Sequence, residues 1–277
     1  MIFSLYNKFG AMNSPPIWEA VKTGLEHLGH TVTHHSDSAD VAVIWSQLWA
    51  GSMRSNQQVW QKFRSANRPV LVIEVSSVRR GHSWRIMLNG NNEIPRLDNS
   101  AQRFAALGWD MRPWTHSGEC IVIACQRPDS QLWSLPVSTE AWLDHVVGNI
   151  RKHTDRPIMI RPHPRKRLSR VPQGCTLVPP LHITGTVDDF NFNQSINNAW
   201  SVINFNSSPG VNSVLAGVPV FVDPTSPAAQ VGNHDFSLIE TPKRPDREQW
   251  AWNLAHTEWT VTEIKQGIPP VFGNVSG

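Results

Sequence analysis

The chain lacks the features that mark several classes of protein. No apolar run approaches the roughly 20 residues that a membrane-spanning helix needs, and only 17% of its 277 residues are charged. The opening stretch, MIFSLYNKFG, has no basic segment followed by a long apolar one, so we expect a first strand there and no signal peptide. We therefore expect a globular cytoplasmic protein without a membrane partner.

Cysteine is scarce, and its spacing is not that of a metal finger. Cys120, Cys125 and Cys175 are the three cysteines, and they predict buried free thiols in a reducing compartment, with no metal site and no permanently bound cofactor. A net charge of +3 argues against a strongly basic nucleic-acid binder. The positive charges are unevenly distributed along the chain, however, because residues 151–170 (RKHTDRPIMIRPHPRKRLSR) are rich in Arg, Lys and His.

Apolar β-branched runs alternate with helical patterns along the first part of the chain. Such alternation predicts parallel strands connected by helices. The expected strands are residues 2–5, 41–45 and 69–75, and the expected helices are residues 16–28 and 56–65. Residues 76–115 are polar and rich in Gly and Asn, so we expect loops there, with one helix over residues 100–107.

The alternation starts again at residue 119. The expected strands are residues 120–125, 157–160, 175–178, 201–205 and 218–222, and the expected helical regions are residues 138–153, 188–199 and 245–266. We therefore expect an α/β fold of two Rossmann-like domains facing a cleft, with an N-terminal domain over residues 1–115 and a C-terminal domain over residues 116–277. Ligands of open α/β sheets bind outside the carboxyl ends of the strands, which directs attention to the residues that follow each strand.

The segment Asn206-Ser207-Ser208-Pro209-Gly210 lies between an expected buried strand and a short helix. Ser207 and Ser208 can cap that helix, and Pro209 suits its first turn. Gly217 suits the end of the helix. Free N–H groups and the positive end of the helix dipole make such a loop an anion site, although an ordinary capped turn has the same residues.

Two motifs in the C-terminal half resemble those of a known family. Arg161-Pro162-His163-Pro164 follows a strand, and the Asn206–Gly210 segment opens a helix that ends in Ala216-Gly217-Val218-Pro219-Val220. Together they resemble GT-B-type glycosyltransferases, in particular the capsule-polysaccharide, sialyl- and glycerophospho-transferase group. Residues 254–267 are similar to the end of phage-encoded glycosyltransferase-like proteins. The resemblance spans about residues 119–267.

The resemblance implies a GT-B-like fold and a nucleotide-sugar co-substrate, which we expect to be a UDP-sugar. It implies that Arg161 and His163 contact the donor phosphates and act in catalysis, by stabilising the leaving nucleoside diphosphate without a metal. The other donor-binding residues that it implies are Gln126, Arg127, Asn206, Ser207, Ser208, Gly210 and Asn212. Asn212 and Ser213 stand where the family has an acidic residue that contacts the ribose.

Transfer to a hydroxyl requires a general base. Glu74 ends an expected buried strand at the sheet edge, which makes it the first candidate for a catalytic base in the N-terminal, acceptor-side domain. A salt bridge to Arg79 or Arg80 is the alternative role for Glu74. The other candidates for the base are Asp110, His34 and His35.

Cations and an aromatic side chain follow Glu74, at Arg79, Arg80, Trp84 and Arg85. This combination suits a polyanionic acceptor with bases that can stack. With the phage-like C-terminal residues, it predicts that the acceptor is a hydroxymethylated pyrimidine in double-stranded phage DNA, flipped out of the duplex in the host-cell cytoplasm. A solvated loop above a small sugar acceptor is the alternative.

Two other functions fit the same sequence. The same fold could transfer a glycosyl or glycerophosphate group to a saccharide or another polymer. A protein of another class, a non-catalytic nucleic-acid-binding protein, would bind DNA with salt-sensitive affinity and would not bind nucleotide sugars. A Rossmann dehydrogenase is disfavoured, because no G-x-G-x-x-G follows any expected strand.

Overall fold

The computed structural model describes residues 1–185, 190–192 and 196–275. The chain forms two compact units. Unit 1 contains Met1–Asn92, Asp129–Leu132 and His256–Gly277, and unit 2 contains Glu93–Pro128 and Trp133–Ala255. The single boundary expected near residue 116 differs from this division, because residues 93–115 belong to unit 2 and residues 256–277 return to unit 1.

Within the described residues, the sheet of unit 1 has six strands. They are β1 (Ile2–Leu5), β2 (Thr31–His34), β3 (Val41–Trp45), β4 (Val70–Val75), β5 (Trp84–Leu88) and β11 (Glu258–Trp259). Their order across the sheet is β11-β5-β4-β3-β1-β2. The neighbours among β1 to β4 pair in parallel, whereas β5 pairs antiparallel with both β4 and β11.

The described part of unit 2 contains a five-stranded sheet in which all neighbours are parallel. Its strands are β6 (Cys120–Ala124), β7 (Ile158–Arg161), β8 (Cys175–Leu177), β9 (Ala199–Asn204) and β10 (Val220–Phe221). The strand order is β10-β9-β6-β7-β8. Strand β6 is therefore central, with β7 and β8 added on one side of it and β9 and β10 on the other. This is the strand order of a Rossmann sheet, and the order reverses between β6 and β9, where such sheets bind ligands.

Helices connect these strands. In unit 1 they are α1 (Pro15–His27), α2 (Asn56–Ser65), α7 (Val261–Lys265) and α8 (Pro270–Gly273), and in unit 2 they are α3 (Gln102–Ala106), α4 (Thr139–Ile150), α5 (Ser208–Leu215) and α6 (Glu248–Ala255). Every residue of β3 and of β6 is buried, as expected for central strands covered on both faces. The described part of unit 1 has two clusters of buried apolar side chains. Leu25 of α1 belongs to the cluster that contains Val43, and Phe63 of α2 belongs to the cluster that contains Ile44.

The expected α/β class with two Rossmann-like sheets is confirmed. Helix α2 has the bounds that the sequence predicted, and α4 begins after Ser138, whose hydroxyl accepts the Ala141 N–H at 3.1 Å. Gly217 ends α5 with a φ of +82°, a conformation that suits glycine. A helix was expected over residues 188–199. Residues 188–189 and 193–195 of this range lie outside the described residues, and its last residue, Ala199, begins β9.

Three elements differ from the expectation. Strand β2 was not predicted, because it is a half-exposed edge strand with a polar sequence. Strand β5 lies within residues 76–115, which were expected to form loops. The single helical region expected over residues 245–266 is instead α6, β11 and α7, because Thr260 and Glu263 form a capping box that starts a new helix.

A helix that crosses a bilayer has about 20 predominantly apolar residues. In the described part of the chain, no helix is both long enough and apolar enough to do so.

Candidate functional site

Two of the expected donor-binding residues meet where the strand order of unit 2 reverses. Gln126 follows β6 and Asn206 follows β9, and the Gln126 Oε1 accepts the Asn206 N–H at 3.2 Å. Both side chains are buried, and Arg127 beside them is half-buried. The two loops are therefore held together at the edge where a Rossmann sheet binds its ligand.

Asn204 fixes the same edge and was not singled out from the sequence. It is the last residue of β9 and is 1% exposed. Its Nδ2 donates to the Ala124 carbonyl at 2.9 Å, and its Oδ1 accepts the Ser207 N–H at 2.9 Å. The side chain thus connects the ends of β6 and β9 and shapes the loop that follows. The sequence signal that could have identified Asn204 is its position directly after the apolar residues Val202 and Ile203 at the end of the strand.

The start of α5 corrects part of the expected capping. Ser207 occupies the N-cap position, but its side chain makes no capping hydrogen bond. Its hydroxyl instead accepts the Asn204 Nδ2–H at 3.0 Å. The Gly210 N–H donates to the Ser207 carbonyl at 3.1 Å, so it is not a free donor for a phosphate as expected. No serine side chain caps α5, but Pro209 has no N–H and the Ser207 and Gly210 N–H groups are already bonded, so the helix would favour an anion mainly through the positive end of its dipole.

Gly210 has a packing role that the sequence did not reveal. A Cβ at this position would lie 3.2 Å from Val222 Cγ1 and 3.5 Å from Asn204 Oδ1. Glycine therefore allows the first turn of α5 to approach β10 and the end of β9 closely. Ser208 and Asn212, the other expected donor-binding residues on this helix, are half-buried.

Arg161 is a buried cation without a hydrogen-bond acceptor among the described residues. It ends β7 and is 6% exposed, and its Nε–H has no partner. Its guanidinium carbon lies 4.9 Å from the centroid of the Phe192 ring. Burial lowers the pKa of Arg161 to about 10, and Cys125 opposes this shift. The side chain therefore stays charged near neutral pH, in a place where an anion would compensate it.

His163 lies two residues after Arg161 and is oriented by its own loop. Its Nδ1 accepts the Arg165 N–H at 3.1 Å. A neutral ring with an acceptor at Nδ1 carries its proton on Nε2, so the far side of the ring is a donor. Since β7 lies next to β6, this donor belongs to the same sheet edge as Gln126.

A carboxylate also belongs to this edge and was not predicted. The Asn206 Nδ2 donates to the Thr225 hydroxyl at 2.9 Å, and that hydroxyl donates to Asp223 Oδ1 at 2.6 Å. Asp223 follows β10 closely and is half-buried. The chain of hydrogen bonds runs along the carboxyl ends of β9 and β10, and it connects Asn206 to a negative charge.

Glu74 lies near the carboxyl end of β4, in unit 1. It is half-buried, and its Oε1 accepts the Gln47 N–H at 2.9 Å. Burial raises the pKa of Glu74, while hydrogen bonds from Ser46 and Gln47 and the charges of Arg85 and Arg80 oppose the rise. A carboxylate with a raised pKa suits a general base.

The expected acceptor-binding loop is corrected in part. Arg79 and Arg80 are exposed, as a surface for a polyanion requires. Trp84 and Arg85 instead lie in β5, with 7% and 4% of their surface exposed. Trp84 packs in the core of unit 1, because its strand is flanked by β4 and β11. Neither residue is available for stacking on a base or for contacting a phosphate of DNA.

The other candidates for the base are placed less favourably. Asp110 is exposed and lies 4.0 Å from Arg112 in an ion pair. His34 is exposed on the edge strand β2. His35 has a φ of +51° and its Nε2 lies 3.0 Å from Asn7 Oδ1, and burial lowers its pKa. In the described residues, no group of three or more His, Cys, Asp or Glu is arranged to hold a metal ion.

No family model matches the sequence, and no curated protein matches it. Solved structures do match. The β-Kdo 2,4 transferase KpsC of Thermosulfurimonas dismutans superposes with a TM-score of 0.52 at 13% identity, over 92% of this chain and 90% of that one. The β-Kdo 2,7 transferase KpsC of the same organism gives a TM-score of 0.52 at 15% identity, over 98% of this chain and 99% of that one.

The likeness to these transferases extends over almost the whole of each chain, and at these identities it concerns the fold alone. It confirms the GT-B-like α/β fold that the resemblance implied. The fold of the chain is therefore that of known glycosyltransferases, and the roles of its residues follow from its own site.

Proposed function

We propose that the protein is a metal-independent GT-B-type glycosyltransferase that moves a sugar from a nucleotide sugar to a hydroxyl acceptor. One observation carries the proposal: Arg161, a buried guanidinium without a hydrogen-bond acceptor among the described residues, ends a strand at the ligand-binding edge of a Rossmann sheet. A buried charge that lacks a partner is costly, and the phosphates of a nucleotide would compensate it. The fold of a glycosyltransferase makes a nucleotide sugar the natural donor.

The donor phosphates lie, in this proposal, between Arg161, the Nε2–H of His163 and the start of α5. All three are positive or donate hydrogen bonds, and they follow β7 and β9 on either side of β6. Gln126, Asn206 and Ser207 shape the loops around them. The donor is a UDP-sugar in this proposal, and its phosphates meet these groups without a metal ion.

Glu74 is the proposed base. It accepts the proton of the acceptor hydroxyl while the acceptor oxygen forms a bond to the anomeric carbon. The bond from that carbon to the phosphate oxygen breaks, and the nucleoside diphosphate leaves with the bonding electrons. Arg161 and His163 stabilise the negative charge that develops on the leaving group.

The proposed acceptor is a hydroxymethylated pyrimidine in double-stranded DNA. The exposed cations Arg79 and Arg80, which follow Glu74 closely, support this choice. The burial of Trp84 and Arg85 removes the stacking contact that was expected beside them. A saccharide or another polymer remains the second candidate acceptor, with a glycosyl or glycerophosphate group as the cargo.

Release of UDP from UDP-sugars tests the donor and acceptor together. The wild-type protein is incubated with a panel of UDP-sugars and DNA that contains hydroxymethylcytosine, with and without EDTA. We expect release that depends on the modified DNA, persists in EDTA and is lost in His163→Ala. The control, His145→Ala, changes an exposed residue of α4 and leaves the rate unchanged.

The outcomes separate the alternatives. Turnover that needs a saccharide acceptor instead of DNA would assign the second candidate, and turnover only with CDP-alcohols would assign glycerophosphate transfer. Salt-sensitive DNA binding without turnover of any donor would favour the non-catalytic nucleic-acid-binding protein. Wild-type turnover in His163→Ala would remove His163 from the donor site.

A further inference from the structure

Unit 1 contains a fully buried carboxylate besides the proposed base Glu74. Glu258 in β11 is 0% exposed. Its Oε1 accepts the Ser77 N–H at 2.7 Å, and its Oε2 accepts the hydroxyl of Ser83 at 2.8 Å as well as that of Ser76. The donors come from both ends of the loop between β4 and β5, so Glu258 fastens the loop that carries Arg79 and Arg80.

Arg85 is the cation beside this carboxylate. It is 4% exposed, and its Nη1 donates to Asn92 Oδ1 at 2.7 Å. Its Nε–H has no partner among the described residues. Burial lowers the pKa of Arg85, and the charges of Glu258 and Glu74 oppose this shift. The carboxylates of Glu258 and Glu74 therefore favour the charged form of Arg85.

The three charged residues form one row across the sheet. Glu258 is the register partner of Arg85, and Arg85 is the register partner of Glu74. Residues directly opposite each other on neighbouring strands project from the same face. Since neighbouring strands lie about 4.8 Å apart, the row places a guanidinium between two carboxylate-bearing positions that are roughly 10 Å apart.

We propose that Arg85 and Glu258 are positioning residues for Glu74, with Arg85 holding the carboxylate of Glu74 in its ionised form and Glu258 holding Arg85 in place and balancing its charge. The proposal rests on the proposed function for the role of Glu74 as the base. It explains why the chain buries an arginine on β5 and a glutamate on β11, at positions directly opposite each other in the sheet. It also gives the segment 256–275 a part in the reaction, through a residue that touches no substrate.

The charges that act on Glu74 give the two positioning residues opposite effects. Arg85 and Arg80 favour its ionised form. Removal of the positive charge at Arg85 therefore raises the titration midpoint of Glu74. Neutralising Glu258 leaves Arg85 with one carboxylate and removes a negative charge from the row, so the midpoint falls. A merely structural role predicts something else, because loosening the sheet admits water and moves the midpoint of Glu74 downwards in both variants.

Carbon-13 NMR of glutamate carboxyl groups measures this midpoint in the full chain without any substrate. The Glu74 resonance is assigned by its loss in Glu74→Gln. We expect Arg85→Met to raise the midpoint by about one pH unit, a tenfold change in proton affinity, Glu258→Gln to lower it, and Arg85→Lys to leave it close to the wild-type value. Arg79→Met, an exposed change on the same loop, is the control and leaves the midpoint unchanged.

A midpoint that is unchanged or lowered in Arg85→Met overturns the proposal. Should Arg85→Met fail to fold, Arg85→Lys and Glu258→Gln decide together. The proposal keeps the midpoint of Glu74 near the wild-type value in Arg85→Lys and lowers it in Glu258→Gln, whereas a lowered midpoint in both variants or an unchanged one in Glu258→Gln contradicts it. The proposed function fails separately, when Glu74→Gln retains wild-type turnover with the donor and acceptor of the previous section.

Discussion

At the scale of single residues, each unit has a charged candidate residue whose pKa is shifted by burial. Arg161 in unit 2 is the last residue of β7, and Glu74 in unit 1 is the residue before the last in β4. Burial shifts the pKa of each in the direction that favours its neutral form. Ordinary surface charges do not show such shifts, because water solvates them. The sequence could predict both residues from their position after apolar strands. It could not predict their burial, which depends on residues distant in sequence, such as Phe192, whose ring centroid lies 4.9 Å from the guanidinium carbon of Arg161.

Arg161→Met is expected to separate binding from stability. The variant loses the cation that compensates the donor phosphates, so we expect affinity for UDP to fall by about 100-fold, as for a lost charged contact of roughly 3 kcal/mol. The ligand-free variant should be at least as stable as the wild type, because an uncompensated buried charge is removed. Isothermal titration and thermal melts measure the two effects.

Arg167→Met is the matched control for this substitution. Arg167 belongs to the same basic run but is exposed, so its loss should change neither the affinity for UDP nor the melting temperature. Equal affinities of Arg161→Met and the wild type would contradict the assignment of the phosphate site.

Glu74→Gln is expected to change how stability depends on pH. Because the pKa of Glu74 is higher in the folded state than in the unfolded state, the folded state binds the proton more tightly between the two values. The wild type therefore loses stability as pH rises through that window. Glutamine does not titrate, so the variant should lack this loss and be the more stable protein above the window. Melting temperatures measured from pH 4 to pH 8 test this, and parallel curves would contradict it.

At the scale of elements, the α5 helix shows how packing shapes the site. Its first turn has a glycine where a side chain would meet Val222, and its start lacks a serine cap. The sequence predicted the strand, the loop and the helix correctly, since β-branched runs, Pro209 and Gly217 are local signals. It could not predict that the Ser207 hydroxyl accepts a hydrogen bond from Asn204 and does not cap the helix, because the position of Asn204 depends on the pairing of β9 with β6.

Gly210→Ala is expected to disturb α5. The new methyl group would lie within 3.2 Å of Val222 Cγ1, and overpacking of this kind costs about 1–3 kcal/mol. Val222 or the first turn of α5 then moves by a few tenths of an ångström to relieve the contact, so we expect affinity for UDP to fall together with stability. Urea unfolding and isothermal titration measure the two quantities.

Gly148→Ala provides the contrast within the same unit. Gly148 is exposed on α4, and a Cβ there meets nothing within 4 Å. The substitution should therefore stabilise the protein by roughly 0.5–1 kcal/mol through helix propensity, without affecting UDP binding. A Gly210→Ala variant as stable as the wild type would show that the close approach of α5 is not required.

At the scale of the whole molecule, the chain leaves unit 1 and later returns to it. Residues 256–275 add β11 beside β5 and place Phe272 in the core that contains Leu25. The helical pattern of residues 245–255 continues past this return, so the sequence suggested one long helix and a single domain boundary. Strand β5, with its buried Arg85, was missed for a related reason: its five residues lie within a polar stretch rich in Gly and Asn, and one of its two partner strands, β11, comes from a distant part of the chain.

Phe272→Ala is expected to destabilise unit 1 strongly. Phe272 is fully buried, and removal of a buried aromatic ring costs about 3–5 kcal/mol. Ile268→Ala is the control, because Ile268 is 46% exposed and its truncation leaves no cavity. Hydrogen exchange during urea titration should report lost protection in β1 and β3 for Phe272→Ala alone. Loss confined to α8 would contradict the view that this segment completes unit 1.

A thermal-shift screen of the wild-type protein against UDP, CDP, GDP and their sugars, with and without EDTA, tests the central claim most directly. A ligand that binds only the folded state raises the melting temperature by mass action. The proposed donor site predicts a rise with UDP or a UDP-sugar that persists in EDTA and is absent from Arg161→Met. No rise with any of these nucleotides at saturating concentration would contradict it, and Arg161 would then be a buried charge without a phosphate to compensate it.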